Sequence, residues 1–187
     1  MLSFNWSISM NKFLTEKHGL FYLLIIMVVV TRLLPHPMGF TPVGALGLFA
    51  GAYVMNRRAW LIPIAVLLIS DIFLGFYNPA IMLSVYVSFA LSAVLGRYVL
   101  SKKRSVLRIG GSAVGSATIL FVLSNFTLWA TGLYYPLTME GLTLCFIKAI
   151  PFYGNSLLGD LIYAAVLFGT YEGVKQWFDQ EASPTIV

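Results

Sequence analysis

The sequence predicts an all-α membrane protein: a bundle of six transmembrane helices with both termini in the cytoplasm. Of the 187 residues, 59% are hydrophobic and 10% are charged, whereas a soluble domain usually carries about 25% charged residues. The hydrophobic residues form runs separated by short polar breaks, and most Lys and Arg residues lie in the breaks at one end of those runs. A chain of this size has room for roughly six spans of about 20 residues.

The first three runs predict three spans of different character. The first span is expected over Gly19 to Leu34, where Pro35 and Pro37 stop the helix. No small-residue cleavage pattern follows it, which favours a retained helix over a signal peptide. The second span, Thr41 to Met55, is short and rich in small residues, and the third covers Ala59 to Phe76.

The second half of the chain predicts three further spans and one short helix. The fourth span covers Ala80 to Leu100 and the fifth covers Leu107 to Ala130. A separate short helix is expected over Gly141 to Phe152, either lying at the membrane surface or dipping into the membrane. Pro151 is expected to break it. The sixth span covers Asn155 to Phe168 and extends as far as Trp177.

The charges set the expected orientation. The predicted organisation is a cytoplasmic segment over 1–18, a transmembrane domain over 19–177 and a cytoplasmic tail over 178–187. Cytoplasmic loops carry an excess of Lys and Arg, and with the N-terminus inside only Arg32 and Lys148 fall outside. The inner positions then hold Lys12, Lys17, Arg57, Arg58, Arg97, Lys102, Lys103, Arg104, Arg108 and Lys175. Because the basic residues follow topology, no nucleic-acid partner is expected.

Four polar side chains interrupt the spans at a similar predicted depth: Arg32, Asp71, Asn125 and Asp160. A charge in hydrocarbon costs about 2.5–3.5 kcal/mol on insertion scales, so such residues usually face a cavity or each other. With a rise of about 1.5 Å per helical residue, all four fall in the outer half of the membrane. They predict a polar site that is open to the outside.

The outer loops supply a candidate rim for this site. His36 lies in a proline-rich loop and Trp129 lies at the end of the fifth span, close to Tyr134 and Tyr135. Interfacial aromatic residues are often membrane anchors, but here they can also wall a cleft for a ring-containing ligand. The predicted ligand-binding residues are Arg32, His36, Asp71, Asn125, Trp129 and Asp160.

A structural role for the same residues is the open alternative. Asp71 can simply neutralise Arg32, and Asn125 can form a hydrogen bond between helices, as polar residues often do in membranes. Two GxxxG pairs, Gly47 with Gly51 and Gly111 with Gly115, allow helices to approach closely. They predict packing within the bundle or docking of a partner subunit.

Catalytic and metal-binding patterns are weak. Cys145 and His36 could ligate a soft metal ion, but two residues without a ligand spacing favour simple packing of the cysteine. Asp71 and Asp160 could share a proton, as in intramembrane aspartyl proteases. No P-loop, zincin or serine-hydrolase motif occurs, so neither an enzymatic activity nor a cofactor is expected.

Four runs resemble an uncharacterised family of small bacterial membrane proteins: RLLPHPMGFTPVGALGLFAGAY (Arg32 to Tyr53), SDIFLGF (Ser70 to Phe76), SNFTLW (Ser124 to Trp129) and AIPFYGNSLLGDLIY (Ala149 to Tyr163). The overall shape is similar to the substrate-binding S components of energy-coupling-factor (ECF) transporters. That resemblance implies a multi-pass protein of the bacterial inner membrane that captures a vitamin-like solute from outside. It also implies a separate energising ATPase module.

The first helix departs from the S-component pattern. Many S components carry an Ala-xxx-Ala face on that helix for the energising subunit, whereas Leu20 to Leu34 contains no alanine. The expected function is therefore solute binding and uptake, acting alone or with such a module. The alternatives are a structural or assembly subunit of a membrane complex and, third, an intramembrane aspartyl-type enzyme.

Overall fold

The described part of the chain forms six helices, which confirms the all-α prediction. In a computed structural model, the backbone is described over residues 6–54 and 56–181 and the side chains over 19–54 and 56–177. In chain order the helices are α1 (Trp6–Leu33), α2 (Val43–Tyr53), α3 (Leu61–Leu74), α4 (Pro79–Leu100), α5 (Val106–Ala130) and α6 (Met139–Glu181).

Three of these helices are long and apolar enough to cross a membrane within the described residues: Pro79–Leu100, Val106–Ala130 and Met139–Trp177. The apolar parts of the other three are shorter, Gly19–Leu33, Val43–Tyr53 and Leu61–Leu74. At a rise of about 1.5 Å per residue, α2 is roughly 16 Å long, about half the thickness of the hydrocarbon layer.

Helix α6 corrects the prediction for the end of the chain. The separate helix expected over Gly141 to Phe152 does not exist, because α6 continues through Pro151 for 43 residues. Proline removes one backbone hydrogen bond, but in apolar surroundings neighbouring helices and local adjustments can satisfy the freed carbonyl. Of the predicted tail, 178–181 is helical and 182–187 lies outside the described residues.

Helix α1 is also longer than predicted. The first span was expected to begin near Gly19, whereas the helix itself begins at Trp6, within the segment predicted to be cytoplasmic. Residues 1–5 lie outside the described part of the chain. The hydrophobic run therefore marked only the apolar part of a longer helix, since a hydropathy pattern does not show where a polar helical extension begins.

Side-chain caps explain where α4 and α5 begin. Asn78 accepts hydrogen bonds from the backbone N–H groups of Ala80 and Ile81, at 3.0 and 3.3 Å, and Pro79 occupies the first helical position. Ser105 accepts one from Arg108 at 3.4 Å. Such caps satisfy donors that the first helical turn leaves unpaired. By contrast, α2 follows Pro42 without a local side-chain cap.

Helix α2 forms the centre of the bundle. Every residue from Val43 to Ala52 is buried, and all five other helices pack against α2. Phe49 anchors an aromatic cluster with ring centroids 4.8 Å from Tyr53 and 5.4 Å from both Phe168 and Tyr171. A helix that is apolar all round is expected to be buried on all sides.

Glycines bring α2 into backbone contact with α4. A Cβ atom at Gly51 would overlap the carbonyl oxygen of Ala93, and one at Gly96 would overlap that of Leu48. The first GxxxG pair therefore serves packing within the bundle, one of the two predicted uses. The second pair makes no such backbone contact among the described residues: a Cβ at Gly111 would have nothing within 4 Å, and one at Gly115 would meet only the Leu95 side chain, at 3.1 Å.

A charged cluster closes the C-terminal end of α2. Arg104 donates a hydrogen bond to the Ala52 carbonyl at 3.1 Å, and its guanidinium carbon lies 4.3 Å from the centroid of the Tyr53 ring. The Tyr53 hydroxyl donates a hydrogen bond to the Glu172 carboxylate of α6. The same carboxylate forms an ion pair with Arg104, with 3.7 Å between Oε1 and Nη1. The α4–α5 loop, α2 and α6 are thus joined at this end of the bundle.

Prediction for the α2–α4 contact: Gly51→Ala should destabilise the protein, because its methyl group meets a backbone carbonyl that cannot rotate away. Overpacking of this kind costs about 1–3 kcal/mol. The control is Gly111→Ala, whose methyl group enters open space and which should be neutral or stabilising by up to about 1 kcal/mol. Thermal unfolding of both purified variants in detergent measures the difference. Equal midpoints for the two variants would contradict this packing.

Candidate functional site: a cavity at one end of the bundle

A cavity of about 840 Å³ opens at the end of the bundle that holds the α1–α2, α3–α4 and α5–α6 loops. Its wall is formed by the end of α1, the first half of α4, the second half of α5 and the first half of α6, together with those loops. Ligand pockets typically have volumes of about 300–1,000 Å³. The cavity is therefore large enough for a small organic molecule.

The wall combines aromatic rings with cationic side chains. Phe89, Phe121, Phe152 and Tyr153 contribute rings from three different helices. Arg32 and Lys148 supply positive charge, and among the described residues that line the cavity there is no Asp or Glu. An apolar pocket with a few polar groups is the usual composition of a small-molecule site.

The α1–α2 loop is held against α6 at the cavity mouth. Gly39 has a φ of +88°, and a Cβ there would lie 2.8 Å from the Phe152 carbonyl oxygen. Asn155 donates a hydrogen bond to the Met38 carbonyl at 2.9 Å. Because glycine tolerates both the positive φ and the close approach, the loop passes directly over the helix.

Arg32 is fixed by an ion pair behind the cavity wall. Its Nε donates to Ser70 Oγ at 2.6 Å, and its Nη2 donates to Asp71 Oδ1 at 2.7 Å. The other oxygen of Asp71 accepts a hydrogen bond from the Tyr86 hydroxyl at 2.8 Å. Asp71 is 1% exposed. The predicted pairing of Arg32 with Asp71 is present, and it joins α1, α3 and α4.

Tyr77, in the α3–α4 loop, lines the cavity next to this ion pair. Burial raises the pKa of its phenol, the nearby Asp71 carboxylate adds to the rise, and Arg32 opposes it. The hydroxyl therefore stays protonated at neutral pH and can donate a hydrogen bond to a ligand. His36 also lines the cavity, and its Nδ1 lies 2.6 Å from the Leu34 carbonyl.

Asn125 lines the cavity, and among the described residues its side chain forms no hydrogen bond to another helix, unlike one alternative. Its Nδ2 donates to the Phe121 carbonyl, one turn earlier on α5, at 2.7 Å. The link between helices runs through its backbone instead, since Cys145 Sγ donates to the Asn125 carbonyl at 3.4 Å. Cys145 and His36 line the same cavity, but no three metal-ligating side chains come together among the described residues.

Trp129 is not among the described residues that line the cavity. Its Nε1 donates a hydrogen bond to the Pro136 carbonyl at 3.0 Å, across the α5–α6 loop. Tyr134 and Tyr135 of the same loop do line the cavity. The indole therefore supports the loop that carries two lining residues, and the prediction that Trp129 itself touches a ligand stays untested.

Asp160 caps the buried N-terminus of α2 from a different helix. Its Oδ1 accepts a hydrogen bond from the Ala45 N–H at 3.0 Å, and Ser116 also bonds to its carboxyl group. The side chain fits because residue 44 is a glycine: a Cβ there would overlap both carboxylate oxygens. A carboxylate at a helix N-terminus satisfies unpaired N–H groups and the helix dipole.

The predicted site residues thus divide into two sets. Arg32, His36 and Asn125 line the cavity, whereas Asp71, Trp129 and Asp160 do not and instead bond to Arg32, Pro136 and Ala45. Asp71 and Asp160 have separate partners, and no hydrogen bond joins the two carboxyl groups in the described part of the chain. Partners that the sequence did not reveal are Ser70, Tyr86 and Ser116, since buried hydroxyls carry no distinctive signal in a hydrophobic run.

Fold and site together define an all-helical protein, compatible with a membrane, that carries a cavity rich in aromatic residues at one end. The chain belongs to a family of unknown function (DUF6580), whose model matches residues 13–182. This agrees with the resemblance to an uncharacterised family. No curated protein and no solved structure matches the chain.

Prediction for the ion pair: Asp71→Ala should lower the free energy of unfolding by about 3 kcal/mol, because it leaves the Arg32 cation without its buried partner. Adding Arg32→Ala should cost less than the sum of the single changes. Tyr86→Phe, which removes one hydrogen bond, should cost about 1 kcal/mol. Denaturant titrations of the two single variants and the double variant at Arg32 and Asp71 form a double-mutant cycle, with Tyr86→Phe as the control. If the stability losses of the two single variants simply add in the double variant, the two side chains are not coupled.

Prediction for the cap: Asp160→Ala should destabilise the protein by about 1–2 kcal/mol, as loss of a helix cap does. Asp160→Asn should lose less stability, because its amide oxygen can still accept a hydrogen bond from the Ala45 N–H. Amide hydrogen exchange should show faster exchange in the first turn of α2 for the alanine variant. Unchanged exchange there would mean that the carboxylate does not support this helix end.

Proposed function

We propose that this protein is a membrane-embedded solute-binding and uptake protein of the bacterial inner membrane. In this proposal it captures a small, vitamin-like molecule from the outer face. The observation that carries the proposal is the cavity, which has the volume and the mixed aromatic and polar wall of a small-molecule site.

The exposed apolar side chains support a six-span, multi-pass arrangement. Large apolar side chains are exposed even on the shorter helices, with Ile72 and Phe73 of α3 exposed by 67% and 73% and Tyr22 of α1 by 62%. In water such a surface would be an association hazard, whereas hydrocarbon accommodates it. Helix α2 can be short because protein groups, not lipid, satisfy both of its ends.

The distribution of basic residues supports an outward-facing cavity. The loops opposite the cavity contain Arg57 and Arg58 between α2 and α3, and Lys102 to Arg104 between α4 and α5. An excess of Lys and Arg marks the cytoplasmic side. With that side inward, the cavity opens outward and both ends of the chain lie in the cytoplasm.

In this proposal the bundle works as the S components of ECF transporters do, which would require a partner that supplies energy. The α2 glycines cannot dock such a partner, because Gly47 and Gly51 face the backbone of α4. The first helix lacks the Ala-xxx-Ala face between Leu20 and Leu34. An energising ATPase module would therefore have to use another surface, and uptake without one is the other form of the proposal.

A structural or assembly subunit is the second candidate, and one observation favours it. Asp71 and Asp160 already have protein partners, so these two predicted site residues need no ligand. A membrane partner that co-purifies in fixed stoichiometry, together with an empty cavity, would support this candidate. The intramembrane aspartyl enzyme is third, and it requires the two carboxyls to approach each other.

Prediction for solute capture: Ala149→Leu should abolish ligand binding, because its side chain enters the cavity from α6. The matched control is Ala165→Leu, the same change at an exposed position of the same helix. Mass spectrometry of small molecules released from the denatured protein, followed by thermal-shift screening with vitamins and precursors, measures binding. If both variants retain the same ligand, the ligand does not bind in this cavity.

A further inference from the structure

The charge of the cavity is unbalanced. Two cationic side chains, Arg32 and Lys148, line it. Arg32 is neutralised by Asp71, at 2.7 Å. Lys148 has no ion-pair partner among the described residues, and no Asp or Glu is found among the described residues of the wall. The cavity therefore holds about one uncompensated positive charge. Lys148 is exposed, so its ammonium group is accessible to a ligand of opposite charge.

Several N–H donors of Arg32 have no hydrogen-bond partner among the described residues. A guanidinium group carries five N–H donors. Ser70 and Asp71 take one proton from Nε and one from Nη2, on the side edge of the group. The Nη1 protons and the second Nη2 proton have no partner among the described residues. These donors form the end of the guanidinium fork, which matches the two oxygens of a carboxylate.

A third group in the wall lacks a partner. Thr41, next to the loop that crosses α6, lines the cavity and is 9% exposed. Its buried hydroxyl makes no hydrogen bond within the described part of the chain. Buried polar atoms are nearly always paired, so an unpaired one at a cavity wall is a candidate contact for a ligand.

We infer that the solute carries a carboxylate on a ring or otherwise apolar body, with Lys148 and the free end of the Arg32 fork as its cationic partners. This rests on the proposed function and adds the charge of the solute to it. One excess positive charge matches a monoanion better than a phosphate monoester, which carries about −1.5 to −2. Phe121, Phe152 and Tyr153 would hold the apolar body.

Three indole compounds of different charge test the inference: indole-3-acetate, indole-3-acetamide and tryptamine. The full chain in lipid nanodiscs is titrated with each by calorimetry, and a panel of neutral and cationic vitamins is screened in parallel. The acid should bind at least about tenfold more tightly than the amide, and the amine should bind weakest. Salt should weaken binding of the acid alone, because it screens charge pairs.

Substitutions at Lys148 complete the test. Lys148→Met should reduce affinity for the acid by about tenfold, equivalent to about 1.4 kcal/mol, and leave the amide unchanged. Lys148→Arg should retain most of the affinity. Lys102→Met, an exposed change in the α4–α5 loop, is the control and should have no effect. Circular dichroism and monodispersity establish that each variant is folded.

The failures are distinguishable. If the amide or the amine binds as tightly as the acid, or if Lys148→Met binds the acid normally, the charge inference is overturned while solute capture stands. Benzoate and phenyl phosphate are titrated as a further pair, and tighter binding of phenyl phosphate overturns the choice of a carboxylate. If no compound of any charge binds and no small molecule is released from the denatured protein, the proposed function fails together with the inference.

Discussion

Most of this structure depends on satisfying the two ends of a helix that lies inside the protein. Helix α2 is too short to place its ends in water on both sides of a bilayer, and its first ten residues are buried. Unpaired N–H and C=O groups cost several kcal/mol each in apolar surroundings. Asp160 meets the positive end of the helix and Arg104 the negative end. Both charges have the sign that the helix dipole favours.

The cavity is a consequence of the same arrangement. Since α6 must bring Asp160 to the start of α2, its preceding turns lie beside the α1–α2 loop, where Gly39 passes the Phe152 carbonyl. On the other side, the Arg32–Asp71 pair holds α1 to α3. Phe121 and Lys148 line the cavity together with Arg32 from the ion pair and with Gly39 and Phe152 from the loop contact. The polar contacts that stabilise the bundle therefore also position residues of the cavity wall.

Hydropathy and charge were sufficient to predict the helices, because a run such as Pro79–Leu100 has few alternatives to a helix in an apolar environment. They failed at Pro151, since whether proline ends a helix depends on neighbours that the sequence does not display. The ion pair of Arg32 with Asp71 was predictable from charge and depth alone. The cap by Asp160 was not, because it needs the position of α2 and the space left at Gly44. Tertiary contacts between distant segments account for that difference.

The same comparison shows which charged residues are available to a ligand. Ionisable groups in apolar spans are functional candidates by default, and on that basis Asp71, Asp160 and Arg32 looked equivalent. Their hydrogen bonds show that they differ. Both oxygens of Asp71 accept hydrogen bonds, and Asp160 caps a helix end. Arg32 instead keeps the N–H donors at the end of its guanidinium group unpaired among the described residues. Lys148 shares that property although it lies on the part of α6 that was expected to form a separate surface helix. Under the proposed function, hydrogen-bonding capacity left over after folding, rather than charge alone, marks the groups that can bind a solute, and Arg32 has such capacity although it also holds the fold.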